Sequence, residues 1–232
     1  MLILPRDRYQ RILFLFFLLL FAASCVAPPY LQFLLLQHVP TTLAALLLAY
    51  MSNRFAISRL SYSSIIVFLC LHTLGARYLY SYVPYDYWSE KLLNVNLSEV
   101  FGFQRNHYDR LVHFSYGLLI AVPVQEFERR YLKLSAAVSS VLAIEFIIAT
   151  SAGYELLEWL VAVIFAPDWA EQFLGQQGDV FDAQKDTALA TAGAVVSIGA
   201  LALTRNRYRN GTLRTARSDA KPKIAVSEAN RK

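Results

Sequence analysis

Charged residues and cysteines are both scarce in this sequence. Asp, Glu, Lys and Arg make up 17% of its 232 residues, below the roughly 25% that is usual in a soluble domain. The two cysteines, Cys25 and Cys70, lie inside apolar runs and are too few for a disulfide framework. The chain also lacks an internal repeat with paired broken helices. These shortages argue against a soluble domain, a disulfide-stabilised secreted protein and a repeat-based transporter.

The basic charge is concentrated at the C-terminal end. From Arg205 onward there are nine Lys or Arg residues and two acids, a net charge of +7, whereas the whole chain carries +5 and the first 204 residues therefore sum to −2. A basic tail without interleaved aromatic residues is not typical of a nucleic-acid groove. We therefore expect no nucleic-acid partner, and we interpret 205–232 as a disordered cytoplasmic tail that contacts anionic lipids.

Hydrophobic residues, in contrast, are abundant at 56% of the sequence, and they form six runs. A helix needs about 20 apolar residues to cross a hydrocarbon core about 30 Å thick. The runs predict an all-α protein, a polytopic transmembrane helix bundle with six spans in one membrane domain, 1–204. The predicted spans cover about 12–27, 30–50, 63–80, 108–124, 134–165 and 182–203.

Lys and Arg are distributed unevenly between the segments that flank these spans. The start of the chain, the connections after the second and fourth spans and the C-terminal tail are basic, whereas the alternate connections are acidic. Cytoplasmic segments of membrane proteins carry the excess of Lys and Arg. The pattern predicts that both termini are cytoplasmic and that the chain is a multi-pass protein of the cell inner (plasma) membrane.

The N-terminal region also allows a different interpretation. Arginines followed by a short apolar run and by Ala22-Ala23-Ser24-Cys25 resemble a lipoprotein signal peptide with its cleavage site. Cleavage would remove the first predicted span. A mass spectrum in which Met1 or Leu2 is retained would exclude this alternative.

Ionisable residues in the predicted spans occur in pairs that share a helix face, because their members are three or four residues apart. The pairs are Asp109 with His113, Glu155 with Glu158, and Asp182 with Asp186. Under the predicted topology, all three pairs lie at the same depth near the outer face. Ionisable groups inside a membrane usually face the bundle interior. We therefore expect the three pairs to line one outward-facing polar pocket.

We assign catalytic roles to His113, Glu158 and Asp182. The candidate binding residues are Asp109, Arg110, Glu155, Asp179, Asp186, His72 and Arg77. Histidine and carboxylates can hold a divalent metal that polarises a phosphate or carbonyl, or they can act as acid and base without one. The residues match no known ligand motif, so the metal and any cofactor stay open. A purely structural network, with Arg110 or Arg77 paired to an acid, is the third alternative.

Three blocks of the sequence resemble the bacterial YjdF-type inner-membrane family. They are Tyr108–Phe114, Tyr154–Trp159 and Phe173–Asp186. That family has no assigned biochemical activity, so the resemblance implies a multi-pass inner-membrane protein and no particular reaction.

The same residues also resemble, more distantly, the VanZ-like membrane proteins. Asp109, Arg110, His113 and Phe114 are similar to a motif at a span start in that family, and Glu155, Glu158, Asp182 and Gly193 correspond to later positions. An acid, Glu158, stands where glutamine is common, and this departure limits the correspondence. The resemblance implies a role at the cell envelope in handling a lipid or cell-wall precursor.

Taken together, these patterns predict a pocket that binds or processes an envelope lipid or precursor. Besides membrane lipids, the expected partner is a lipid-like or polar small molecule. One alternative is a proton-coupled transporter, which requires polar residues that continue to the inner side, where only Glu145 lies. The other is a structural or assembly protein with a polar interhelical network. Whether the protein is an enzyme stays open at this point.

Overall fold

The computed structural model describes residues 4–165 and 167–219. Within these residues the chain is all-helical, as predicted. The helices are α1 Arg8–Ser24, α2 Leu31–Arg54, α3 Arg59–Arg77, α4 Tyr85–Leu93, α5 Leu97–Phe101, α6 Tyr108–Tyr131, α7 Ala136–Phe165, α8 Ala170–Phe173 and α9 Asp182–Asp219. A single 3-10 turn, Pro167–Trp169, precedes α8.

Four of the described helices are long and apolar enough to cross a membrane, namely Leu31–Arg54, Arg59–Arg77, Ala136–Phe165 and the Asp182–Thr204 part of α9. The other two predicted spans correspond to α1, which has 17 residues, and to α6, which carries charged residues in its first and last turns. The fold class of a helical multi-pass membrane protein is therefore confirmed. The number of six spans stays a prediction.

Several helices extend beyond the predicted bounds because side chains cap their ends. The first helix starts at Arg8 instead of about 12, since the Asp7 carboxylate accepts a hydrogen bond of 2.9 Å from the Gln10 amide. The third starts at Arg59 instead of about 63, since the Ser58 hydroxyl accepts one of 3.1 Å from the Ser61 amide. The apolar runs mark the membrane core, whereas polar residues continue the helices past it.

The connection between α3 and α6 is folded into two short helices that the sequence did not predict. The carboxylate of Asp86 in α4 accepts hydrogen bonds from the backbone amide and the hydroxyl of Ser98 in α5, at 2.9 and 2.6 Å. The Asn96 side chain caps α5 by accepting a hydrogen bond from the Glu99 amide at 3.0 Å. These contacts join α4 to α5 in the connection that precedes α6.

Two of the four apolar cores among the described residues join the long helices. The first joins α1, α2 and α3 around the fully buried side chains of Phe17 and Tyr62. The second joins α6, α7 and α9 mainly through small residues, including Ala121, Ala143 and Ala190. Small side chains allow helix backbones to approach closely in a membrane protein. The close approach in the second core determines the geometry of the polar residues.

The described chain divides into two compact units, with the boundary between Ile198 and Gly199. The helix α9 continues to Asp219, past the predicted end of the last span at about 203. Residues 220–232 lie outside the described residues, and the prediction of a disordered basic tail stays a prediction. All side chains discussed below belong to the first unit.

Candidate functional site

Two glycines bring α6 and α9 into backbone contact. A Cβ atom at Gly117 would lie 1.8 Å from the carbonyl oxygen of Ala190, and one at Gly193 would lie 2.1 Å from that of Phe114. No side chain fits at either position. His113 lies one turn before Gly117, and Asp186 lies one turn before Ala190. The close crossing therefore positions the imidazole of His113 beside the carboxylate of Asp186.

His113 is the centre of a buried group of carboxylates. Its Nε2 atom lies 3.1 Å from Oε1 of Glu155 on α7 and 3.6 Å from Oδ1 of Asp109, one turn earlier on α6. Asp109, His113 and Asp186 each offer one donor atom, and these three atoms lie within 4.8 Å of one another. We call Asp109, His113, Glu155 and Asp186 the carboxylate–histidine cluster.

A second group of charged residues lies at the start of α9 and forms what we call, after the predicted topology, the outer ion-pair network. Arg105 donates to Asp182 Oδ1 at 2.8 Å. Arg110 donates to Asp179 Oδ2 at 2.5 Å and lies 3.5 Å from Asp182 Oδ1. Lys185 also donates to Asp179, at 2.6 Å. The hydrogen bond from Lys185 is the main cause that lowers the pKa of Asp179 from its usual 3.8 to about 2.

The connection before α9 is held over the cluster by hydrogen bonds to the segment before α6. Arg105 donates to the carbonyl oxygens of Gln176 and Gly175, at 2.7 and 2.9 Å. The Gln177 side-chain amide forms a reciprocal pair with the backbone of Asn106, at 2.9 and 3.0 Å. Gly175 has a φ of +70°, and a Cβ there would lie 2.9 Å from Asp109 Oδ2. Both the positive φ and the lack of room for a Cβ atom therefore favour glycine at position 175.

A cavity of about 240 Å³ lies between α2, α3, α6 and α7. We call it the polar cavity, because ionisable and hydroxyl side chains line part of it. They are Thr41, His72, Tyr80, Asp109, His113, Tyr116, Thr150, Ser151, Tyr154 and Glu158. The remaining wall is apolar and includes Phe68, Leu69 and Val112.

Hydrogen bonds between three helices fix the polar side of this cavity. Gln37 of α2 donates to Glu158 Oε1 at 3.4 Å and accepts from the Tyr154 hydroxyl at 3.2 Å. The hydroxyl of Tyr80 is hydrogen-bonded to Nδ1 of His72. Gln37 thus orients two residues of α7 toward the same space.

A larger cavity of about 580 Å³ lies between α7, α9 and the connection before α9. We call it the side cavity. Its polar residues include Glu155 and Asp182, and its apolar wall includes Leu156, Trp159 and Val180. His113, which lines the polar cavity, contacts Glu155, which lines the side cavity, so the two spaces adjoin at this pair.

The structure brings most of the predicted site residues together. Asp109, His113, Glu155 and Asp186 form the cluster, His72 and Glu158 line the polar cavity, and Arg110, Asp179 and Asp182 form the ion-pair network. Arg77 does not join them. It donates to the carbonyl oxygens of Ser24 and Val26 at 2.6 and 2.9 Å, and thereby ties the end of α3 to the end of α1.

Sequence reasoning missed four residues of this region, namely Arg105, Gln37, Tyr80 and Tyr154. Arg105 carried a usable signal, since it is one of few basic residues in the connection between α3 and α6, which is otherwise acidic. Tyr154 lies in one of the blocks that resemble the YjdF-type family, but that resemblance gives it no role. Gln37 and Tyr80 carried no signal, because a glutamine or tyrosine in or beside an apolar run does not indicate which cavity it faces.

Comparison with known proteins gives two matches. Residues 9–207 match the family described as "Predicted membrane protein (DUF2238)". The chain is 31% identical to "Inner membrane protein YjdF" of Escherichia coli (strain K12) over 166 residues, which are 71% of this chain and 75% of that protein. No solved structure matches.

Proposed function

The chain belongs to the DUF2238 family of predicted membrane proteins and is a multi-pass protein of the inner membrane, and from that premise we propose that it binds or processes the polar head group of an envelope lipid or lipid-like precursor. The observation that carries this proposal is the convergence of polar side chains from four helices on one cavity. They are Thr41 of α2, His72 of α3, Asp109 and His113 of α6, and Glu158 of α7. Ionisable residues within a membrane are expensive and generally functional.

The proposal includes six spans with both termini in the cytoplasm. The contact of Arg77 with Ser24 joins the ends of α1 and α3 at one side of the bundle. At the opposite side, Glu126 near the end of α6 accepts hydrogen bonds from the amide and hydroxyl of Ser58, at 3.1 and 2.6 Å, before the start of α3. The basic connections lie on this second side, which supports a cytoplasmic position for it.

The sizes of the cavities support a head group as the occupant. The polar cavity, at about 240 Å³, is smaller than the roughly 300–1,000 Å³ of pockets for drug-sized molecules. It has room for a head group and not for a complete lipid. The side cavity, with Leu156, Trp159 and Val180 in its wall, offers the apolar surface that an acyl chain needs.

The cluster has the groups needed for proton transfer to or from a bound head group. His113 lies between Asp109 and Glu155, and a histidine beside carboxylates can accept or donate a proton. Glu158 is a second acid on the other side of the polar cavity. Asp182 instead accepts a hydrogen bond from Arg105, so in this proposal it holds the outer loop in position over the site.

Lipid retention by the purified protein tests the proposal. The wild-type protein is extracted from membranes, and co-purified lipids are identified by mass spectrometry beside Asp109→Asn, His113→Ala and Glu158→Gln. We expect one lipid class to be enriched with the wild type and reduced at least about tenfold in the variants, since hydrogen bonds to charged groups contribute about 1.5–3 kcal/mol. Glu99→Gln, an acid of α5 outside the site, is the control. Identical lipid profiles in all folded variants would refute the proposal.

A structural or assembly role is the second candidate, and the outer ion-pair network favours it. Five charged residues tie the connections at one end of the bundle together, which a scaffold would also require. Site variants that all fail to accumulate, together with a stable partner recovered by crosslinking, would support this candidate.

Proton-coupled transport has less support, because Glu145 is exposed on α7 and does not line the polar cavity. Uptake into proteoliposomes driven by a pH gradient would revive it.

A further inference from the structure

Three residues of the carboxylate–histidine cluster have the arrangement of a metal site. One carboxylate oxygen of Asp109, one ring nitrogen of His113 and one carboxylate oxygen of Asp186 lie within 4.8 Å of one another. Ligand atoms about 2.0–2.2 Å from a tetrahedral ion are about 3.4 Å apart. Small side-chain rotations would therefore bring all three donors to one ion. Three protein ligands with a free fourth position are also the usual arrangement of a catalytic zinc site.

The backbone holds these three donors rigidly. Asp109 and His113 are one helical turn apart on α6, so their side chains lie on the same face. The contacts of Gly117 and Gly193 fix α9 against that face, which places Asp186 opposite. Two helices in backbone contact are a firmer support for a metal site than loops are.

Asp186 has no partner that explains its burial. Its side chain is 1% exposed, and its Oδ1 atom has no hydrogen-bond partner among the described residues. A buried carboxylate oxygen without a donor loses its hydration and gains nothing in return. A bound cation would supply the missing interaction, because a carboxylate oxygen of Asp186 lies within 4.8 Å of donor atoms of Asp109 and His113.

The nearby cationic side chains interact with other acids. In the part of the chain that the structure describes, Arg105 and Arg110 contact Asp179 and Asp182, and Lys185 contacts Asp179. Among the described residues, His113 is the basic side chain left beside the cluster carboxylates Asp109 and Glu155. Asp186 is buried and Asp109 and Glu155 are only 13% and 12% exposed. When ionised, these three carboxylates beside one imidazole carry an excess of negative charge that a divalent ion would balance.

We propose that Asp109, His113 and Asp186 bind one divalent cation, with Glu155 beside it as a fourth ligand. One imidazole nitrogen with carboxylate oxygens suits Zn²⁺ or Mn²⁺ better than Mg²⁺ or Ca²⁺, which prefer oxygen ligands alone. The inference rests on the proposed function only in placing this cluster at the head-group pocket. A cation there would attract the phosphate or carboxylate of a head group.

Direct binding of the metals alone tests the site. The full chain, purified with an affinity tag that contains no histidine, is treated with chelator and titrated separately with Zn²⁺, Mn²⁺, Mg²⁺ and Ca²⁺, and bound metal is counted by mass spectrometry. We expect one Zn²⁺ or Mn²⁺ per chain. Asp186→Asn and His113→Ala should weaken binding at least about tenfold, whereas His107→Ala and Glu99→Gln, outside the cluster, should leave it unchanged.

A spectrum of the wild type keeps the test decisive if the variants do not fold. X-ray absorption of the Zn²⁺-loaded protein should show one imidazole nitrogen among oxygen ligands. Wild-type protein that binds no stoichiometric metal, a ligand shell without imidazole, or folded cluster variants that bind as the wild type does would each overturn the proposal. The Glu158→Gln variant distinguishes the metal site from the head-group function, since only the head-group function requires Glu158. If this variant loses the bound lipid but still binds the metal, the two proposals are tested independently.

Discussion

Gly117 of α6 and Ala190 of α9 lie in backbone contact, so close that a Cβ atom at Gly117 would be 1.8 Å from the Ala190 carbonyl oxygen. One turn earlier on each helix are His113 and Asp186. The fit of a glycine against a backbone thus determines the distance between an imidazole and a carboxylate. Packing and site chemistry are coupled here, since the helices cannot separate without opening the cluster.

Gly117→Ala should therefore destabilise the protein and open the site. The obstacle is backbone, which cannot move away as a flexible side chain can, and overpacking costs about 1–3 kcal/mol or more. We expect a lower thermal midpoint, measured by tryptophan fluorescence in detergent. Gly153→Ala on α7 is the matched control, because a Cβ there meets nothing within 4 Å and alanine favours a helix by about 0.5–1 kcal/mol over glycine. Equal midpoints for the two variants would contradict the packing argument.

Arg105→Gln should cost far more stability than Lys185→Ala, although both remove a cation from the outer ion-pair network. The side chains of Arg105 and Asp182 are 11% and 3% exposed, whereas that of Lys185 is 51% exposed. Removing one partner of a buried ion pair leaves the other charge uncompensated, which destabilises a protein by about 3–5 kcal/mol. Exposed ion pairs contribute little to stability. Unfolding midpoints of the two variants measure the difference. An equal or larger loss of stability for Lys185→Ala would contradict this argument from burial.

The outer loop should also lose stability in strong acid through Asp179. Hydrogen bonds from Lys185 and Arg110 lower the pKa of Asp179 from 3.8 to about 2 in the folded protein. Its contribution is therefore complete above about pH 4 and is lost as the pH falls through 2. Asp179→Asn removes this dependence, so the stability advantage of the wild type over the variant should shrink between pH 4 and pH 2. An advantage that stays constant or grows in that range would contradict the predicted ion pairs.

The sequence was informative wherever a helix period alone placed two residues together. Asp109 and His113 share a face because they are four residues apart, and the apolar runs locate the long helices. Arg77 shows the limit of such reasoning. It lies in the outer part of a predicted span beside other polar residues, but the turn after α3 directs it to the carbonyl oxygen of Ser24.

The remaining part of the site depends on contacts between distant segments, which no local pattern encodes. Arg105 contacts Asp182 across 77 positions of the chain, and Gln37 contacts Glu158 across 121. Both contacts follow from the path of loops and the crossing of helices. The glycines at 117 and 193 were visible in the sequence, but only the facing helix shows why a larger residue would not fit.

The native cysteines provide a test of the predicted topology. Cys25 is exposed at the end of α1, whereas Cys70 is partly buried within α3. With both termini in the cytoplasm, Cys25 lies on the outer side, so a membrane-impermeant maleimide should label it in spheroplasts, and Cys25→Ser should abolish the labelling. Leu132→Cys in the Cys25→Ser background places an exposed thiol after α6, which should react only after lysis.

The same labelling experiment separates the topology from the signal-peptide alternative. Cleavage and lipidation at Cys25 would block its thiol and shift the intact mass, because residues 1–24 would be lost and acyl chains added. A labelled Cys25 with the full-length mass therefore supports six spans. Labelling of Leu132→Cys in intact spheroplasts would place the end of α6 outside, and the carboxylate–histidine cluster would then open toward the cytoplasm. A reporter fused after Phe165, the end of α7, gives an independent reading, and its activity should be that of a non-cytoplasmic fusion.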